Sequence, residues 1–186
     1  MIGGILIGLG VLVALFYAIY VSLIKKKNNL KEAASGIDVQ LKKRYDLIPN
    51  MLKAAAKFME HEKELFTQLT ALREQAMTAK NYADKFKADG ELSTALRAFN
   101  IRAENYPQLK SDATMVNAQQ AMAETEEHIA AARRFYNSAV KDYKNALEIF
   151  PSSLVASMIG LKDEYPFFEA EEQVRERIDV NDYFSK

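Results

Sequence analysis

Residues 1–24 carry no charged side chain, and beyond Lys25 apolar residues recur at helical spacing between polar ones. An uncharged run of that length exceeds the roughly 20 residues that cross a hydrocarbon core, which predicts a transmembrane helix. A cleaved signal segment places lysines before its apolar run and small residues at a cleavage site; here Lys25, Lys26 and Lys27 follow the run, so the segment is expected to be retained. Lysines in that place belong on the cytoplasmic side, which leaves Met1 outside and everything after Lys25 inside. Gly4 and Gly8 form a G-x-x-x-G spacing that lets two such helices approach closely.

Past the membrane, Leu30, Ala34, Ile37, Leu41 and Ile48 continue an apolar stripe. Pro49 lacks the amide a preceding turn needs and biases Ile48 away from helical geometry, which predicts a first helix ending at 46–48. Met51, Ala55, Phe58, Glu62, Leu65, Leu69, Leu72 and Ala76 follow a 4-3-4-3 spacing, predicting a second helix from Pro49 to an Asp89-Gly90 turn. A shorter third helix is expected over 91–105, with NYPQLKSD at 105–112 as the next corner. From 111 to 149 nothing breaks the pattern, which allows a helix roughly 57 Å long. Along it Met115, Met122, Ile129, Tyr136, Tyr143 and Phe150 recur every seventh residue, with Ala118, Thr125, Ala132, Ala139 and Ala146 on the neighbouring line. Large residues beside small ones suit close, coiled-coil-like antiparallel packing. Phe150-Pro151 closes that helix and two serines restart a short one.

The expected fold is therefore all-α: an N-terminal transmembrane helix continuing into an antiparallel up-and-down four-helix bundle with a short C-terminal helical segment. Its parts are an anchor at 1–24, a bundle at 25–162 and an acidic tail at 163–186. An up-down-up-down order returns Phe150 to the membrane-proximal end. There SLVASMIGL at 153–161 presents Leu154, Val155, Met158 and Ile159 on one face, with Phe167 and Phe168 beyond. That face either caps the bundle's own core or meets lipid.

Composition narrows the chemistry. The 186 residues hold 25 Lys+Arg against 25 Asp+Glu, so no net field favours nucleic acid. No cysteine is present, which removes disulfides, thiolate zinc sites and thiol nucleophiles. Charge is nonetheless uneven: residues 25–53 carry a net +5 and residues 163–182 a net −6. The lysines nearest the membrane can meet anionic head groups of the lipid bilayer, and the acidic tail can meet the basic first helix of its own or another subunit. Together with Gly4, Gly8 and the alanine line, this leads to the expectation of a homo-oligomer.

Two histidines invite metal readings. HEKEL at 61–65 has Leu65 where H-E-x-x-H needs its second histidine, which excludes a zincin. Glu-x-x-His pairs of di-iron bundles fail as well, because Phe58 and Thr125 stand three before His61 and His128. Glu62 remains as a carboxylate on an apolar stripe, which requires a partner when buried. Arg44, Arg133 or Arg134 is the expected cation, with a metal or regulatory role as the other reading. In IDVQLKKRYDLIPNML at 37–52, Lys42, Lys43 and Arg44 precede Tyr45, Asp46 and Pro49. Asp46 is expected to accept from the exposed amides of the next helix, and Arg44 offers a planar fork for a carboxylate such as Glu62. The stretch reads as a polar corner that pins helix order, or as a docking surface for another protein.

The run IDVQLKKRYDLIPNM, the pair His61-Glu62, the corner ENYPQLK, the stretch TEEHIAAARRFYNSAVKDYKNALEIFPSSLVA from Thr125, and FFEAEEQ at 167–173 together resemble the LemA family of bacterial membrane proteins. The resemblance implies a short N-terminal membrane anchor followed by a helical bundle, with no established enzymatic activity or cofactor. Before ENYP this chain has TALRAFNIRAE, which places Arg97 and Arg102 in the third helix. The expected function is a non-enzymatic scaffold, single-pass in the bacterial inner membrane with its bundle cytoplasmic, binding itself or an unidentified membrane or cytoplasmic protein. The alternative is a metal-dependent or enzymatic regulator with a polar site in the bundle core.

Overall fold

A computed structural model describes residues 2–169, and among them the chain forms six helices and no strand. They are α1 (Ile2–Ala55), α2 (Lys63–Thr78), α3 (Tyr82–Ala103), α4 (Pro107–Lys110), α5 (Ala113–Glu148) and α6 (Ser152–Met158). Contacts between them fix the topology. Arg44 meets Glu126 and Leu23 packs with Ala146, so α5 runs antiparallel to α1. Asp38 meets Tyr82 and Arg44 meets Asp89, so α3 runs parallel to α1. Phe66 faces Phe99, which makes α2 and α3 an antiparallel hairpin. The four long helices thus alternate direction, α4 turns the far corner, and α6 lies against both α1 and α5.

One apolar cluster fills the bundle. From α1 it takes Ile37, Leu41, Tyr45, Ile48 and Met51, and from the facing helices Leu69, Leu92, Phe99, Ile129, Tyr136 and Val140. Each such side chain contributes about 1.5–3 kcal/mol by leaving water. The seven-residue line of α5 points inward as its spacing requires: Met115, Ile129, Tyr136 and Tyr143 are buried. Asp112 caps α5 by accepting from the Met115 amide at 3.0 Å, and Asn81 caps α3 through the Asp84 amide at 2.9 Å. Residues 2–18 of α1, by contrast, leave every side chain outside the bundle. With residues 19–24 it makes an uncharged length of α1 long and apolar enough to cross a membrane.

Several boundaries differ from those expected. The first helix does not stop at 46–48; α1 runs through Pro49 to Ala55. Proline leaves the Tyr45 carbonyl, four residues back, without its helical donor, and Arg73 of α2 donates Nε–H to that oxygen at 2.6 Å. The chain reverses instead over 56–62, where Met59 is tucked into the end of the core and its amide bonds the Ala55 carbonyl at 3.0 Å. The expected second helix is consequently two: α2 ends at Thr78 and α3 begins at Tyr82. Asp89-Gly90 is no turn, because both residues lie within α3, where Asp89 is buried. Beyond Met158, Tyr136 donates to the Pro166 carbonyl, Tyr143 to the Lys162 carbonyl, and the Asn137 amide both gives to and takes from the Phe168 backbone. Residues 161–168 are thereby laid back along α5. Residues 170–186, most of the expected acidic tail, lie outside the described residues.

Candidate functional site

Arg44 sits on the inward stripe of α1 between Leu41 and Ile48, so helix geometry drives a guanidinium into the core. It is 3 % exposed. A charge so placed must be paired and hydrogen-bonded. Its Nη1 reaches both oxygens of Asp89, at 3.2 and 3.1 Å, and its Nη2 donates to Ser93 Oγ at 2.7 Å and Glu126 Oε1 at 2.7 Å. The Tyr45 hydroxyl donates to Asp89 at 3.2 Å. Arg44 Nε, also buried, has no hydrogen-bond partner. One buried cation therefore ties α1, α3 and α5 together, with two carboxylates around it.

Burial raises the Asp89 carboxyl above the ordinary carboxylate range, against Arg44 and the Tyr45 hydroxyl, which favour its ionised form. Burial likewise pushes the Tyr45 phenol far above its usual value, and the negative charge and hydrogen bond of Asp89 add to this. About two turns nearer the anchor, Asp38 accepts from the Tyr82 hydroxyl at 2.9 Å and from Lys85 at 2.6 Å. Tyr82 is raised by burial and by that carboxylate. Around these polar groups stand Phe86, Tyr82, Tyr136, Tyr165 and Phe168, with Phe86 and Phe168 stacked at 4.1 Å.

The network opens outward. α1 packs most closely on α5 and α2 on α3, which leaves α3 and α5 apart and a groove between them. One stretch of it, about 510 Å³, is lined by Arg44, Ser93, Asn100, Gln119, Glu126 and Arg133. The adjoining stretch, about 520 Å³, runs past Lys87 and Asp89 to Phe168.

Of the expected site residues, Arg44 and Tyr45 are at the centre of this network and Arg133 is on the groove wall, its guanidinium 5.6 Å from the Phe168 ring centre. Arg134 and Lys43 are exposed. Lys42 and Asp46 pair with each other one helical turn apart at 2.7 Å on the outer face of α1. Asp46 therefore caps no helix, since none begins there. Glu62 does not reach Arg44, Arg133 or Arg134. It pairs with Arg102, and the Tyr106 hydroxyl lies 3.5 Å away. The reason is topological: Glu62 sits at the far end of the bundle, beside the end of α3, while Arg44 lies about three turns before the end of α1. Arg97 is exposed on the groove wall with Ser93 and Asn100, Arg102 faces Glu62, and Leu96, Phe99 and Ala103 fill the inner face of α3. Gly4 and Gly8 are open on the outside of α1, and among the described residues no group of three or more His, Cys, Asp or Glu side chains converges where it could hold a metal ion.

Sequence reasoning missed Asp89, Ser93, Glu126, Asp38 and Arg73. Asp89 carried a signal nonetheless: Phe86, Asp89, Leu92, Leu96, Phe99 and Ala103 form one inward stripe at helical spacing with a single carboxylate in it.

Comparison with known proteins gives two matches. The chain is 23 % identical over 174 residues to Protein LemA of Metamycoplasma hominis, a match covering 91 % of this chain and 78 % of that protein. A profile of the LemA family matches residues 33–181, so the chain belongs to the LemA family.

Proposed function

We propose that this chain is a non-enzymatic, membrane-anchored helical scaffold that displays its bundle at the inner face of the bacterial membrane, where the α3–α5 groove docks a partner protein or a second copy. One observation carries the reading: α1 passes without a break from the apolar span into the bundle core, so the groove is held at a fixed height above the membrane. Membership of a family of membrane-associated helical proteins supports it. The lysines at 25–27 favour a cytoplasmic bundle, and the open Gly4/Gly8 face permits helix pairing in the membrane. The groove mixes Arg133, Glu126, Asn100 and Gln119, a polar lining suited to a protein segment with charges of its own.

A photo-crosslinking residue at Asn100, with another at Gln119, tests this in intact membranes. Discrete protein adducts are expected from the groove positions and weaker ones after Arg133→Glu; an adduct of twice the chain's mass identifies a second copy. Absence of any protein adduct from both positions overturns the docking role.

A further inference from the structure

The corner between α5 and α6 lies beside the anchor, and Leu147 and Leu161 join it to the end of the bundle core. Leu23, Ala146, Val155 and Ala156 form a small apolar cluster of their own, with Ile19, Leu147, Ile159 and Leu161 packed around it. Ile19 and Leu23 belong to the uncharged run that precedes Lys25. At 1.5 Å per residue their level on α1 is about 3–9 Å deeper than Lys25, on the apolar side of the membrane lysines.

α6 presents two faces there. Val155 and Ala156 are buried against α1, while Leu154 and Met158 point away and are 59 % and 69 % exposed. Ile149 and Phe150, at the turn, are 60 % and 77 % exposed. No residue from 149 to 161 carries a charge, and Glu148 and Lys162 bound the stretch. Several of its backbone groups are paired within the segment or with the end of α5. The Ile149 amide bonds Asn145, the Ser153 amide bonds Ile149, and the α6 end closes with Leu161 N–H on the Ala156 carbonyl at 3.0 Å and Gly160 N–H on the Ser157 carbonyl at 3.2 Å. Gly160 at φ +69° makes that closure, which needs the left-handed region. Each group paired in this way costs less to move out of water.

We infer that the α5–α6 corner is a second membrane contact: Ile149, Phe150, Leu154 and Met158 insert into the lipid interface next to the anchor, while Val155 and Ala156 hold the corner to α1. The seven residues of α6 are too few to cross, so the element lies in the interfacial plane. Capping the anchor and touching lipid are the tasks of its two opposite faces. The inference rests on α1 spanning the bilayer, and its test separates the two.

The chain has no cysteine, so single cysteines at Phe150, Met158, Leu12 and Gln108 can each carry an environment-sensitive fluorophore in the full-length protein, reconstituted in phosphatidylcholine–phosphatidylglycerol vesicles. Lipids bearing a nitroxide near the top of the acyl chain are the quencher. Blue-shifted emission and several-fold stronger quenching at Phe150 and Met158 than at Gln108, on the far corner, are expected. Leu12, in the middle of the run, reports the anchor with deep-labelled lipid. Quenching at Leu12 without quenching at the corner overturns the second contact alone, and no quenching at Leu12 overturns the span on which it rests. A blue shift at Phe150 and Met158 without lipid quenching means that protein covers the corner, which overturns the inference too. The unsubstituted chain supplies a check free of label effects: photoactivated lipid should attach to the peptide 149–162, and its absence there counts against lipid contact.

Discussion

Arg44 owes its burial to the residues it meets rather than to its own chemistry. With Asp89, Ser93 and Glu126 around it, the desolvated guanidinium is matched on both of its terminal nitrogens. Such a pair adds little over apolar residues of the same size, yet removing one member strands the other in the core. Arg44→Met is therefore expected to lower stability by about 3–5 kcal/mol. The double change Arg44→Met with Asp89→Leu should regain most of that loss, because Glu126 is half exposed and recovers its water. Urea unfolding of the detergent-solubilised protein, followed by helicity, measures both; a double variant as weak as the single one would refute the stranded-charge account. At this scale the sequence was only partly legible. Arg44 stood out as a planar fork for a carboxylate, but its partner on α3 was read as a turn residue, because an Asp-Gly pair ordinarily marks one. Glu62 stood out as a carboxylate on an apolar stripe, and its partner Arg102 was invisible until the hairpin register placed α3 beside it.

Pro49 shows the same limit at the scale of the element. Local stereochemistry rightly says that the proline costs a hydrogen bond; it cannot say that a side chain 28 residues away will supply one. With Arg73 on the Tyr45 carbonyl, α1 keeps its direction and its apolar stripe runs on to Ala55. Arg73→Ala should cost about 1.5–3 kcal/mol in the natural chain. In a Pro49→Ala background, where residue 49 supplies its own amide, the same change should cost well under half as much. A double-mutant cycle reads the difference, and equal costs in the two backgrounds would show that Arg73 acts elsewhere. Legibility was best where periodicity was long: α5 matches its expected bounds to within two residues at each end, since many repeats outvote any single position. It was worst over 51–62, where Met51, Ala55 and Phe58 keep helical spacing through a reversal because Met59 and its neighbours are buried as a plug rather than as a stripe.

For the whole molecule, orientation is the property on which every partner depends. If the bundle faces the cytoplasm, Lys80→Cys, in the exposed link between α2 and α3, should resist a membrane-impermeant maleimide in intact cells and react once they are lysed; labelling before lysis would reverse the topology. Beyond sidedness lies mechanics. From Leu23 to Ala55 the first helix extends about 48 Å past the level of the α5–α6 corner, and no joint separates that length from the apolar span that the proposed topology places in the bilayer. Membrane helices tilt by about 20° on average, more when the bilayer is thin for them. A rigid arm of about 48 Å carries such a tilt into a sideways excursion of about 16 Å at its tip, or about 8 Å for each 10°. Bilayer thickness is thus written into the position of the bundle's far end, as the angle of a hand is read at the tip of a gauge needle.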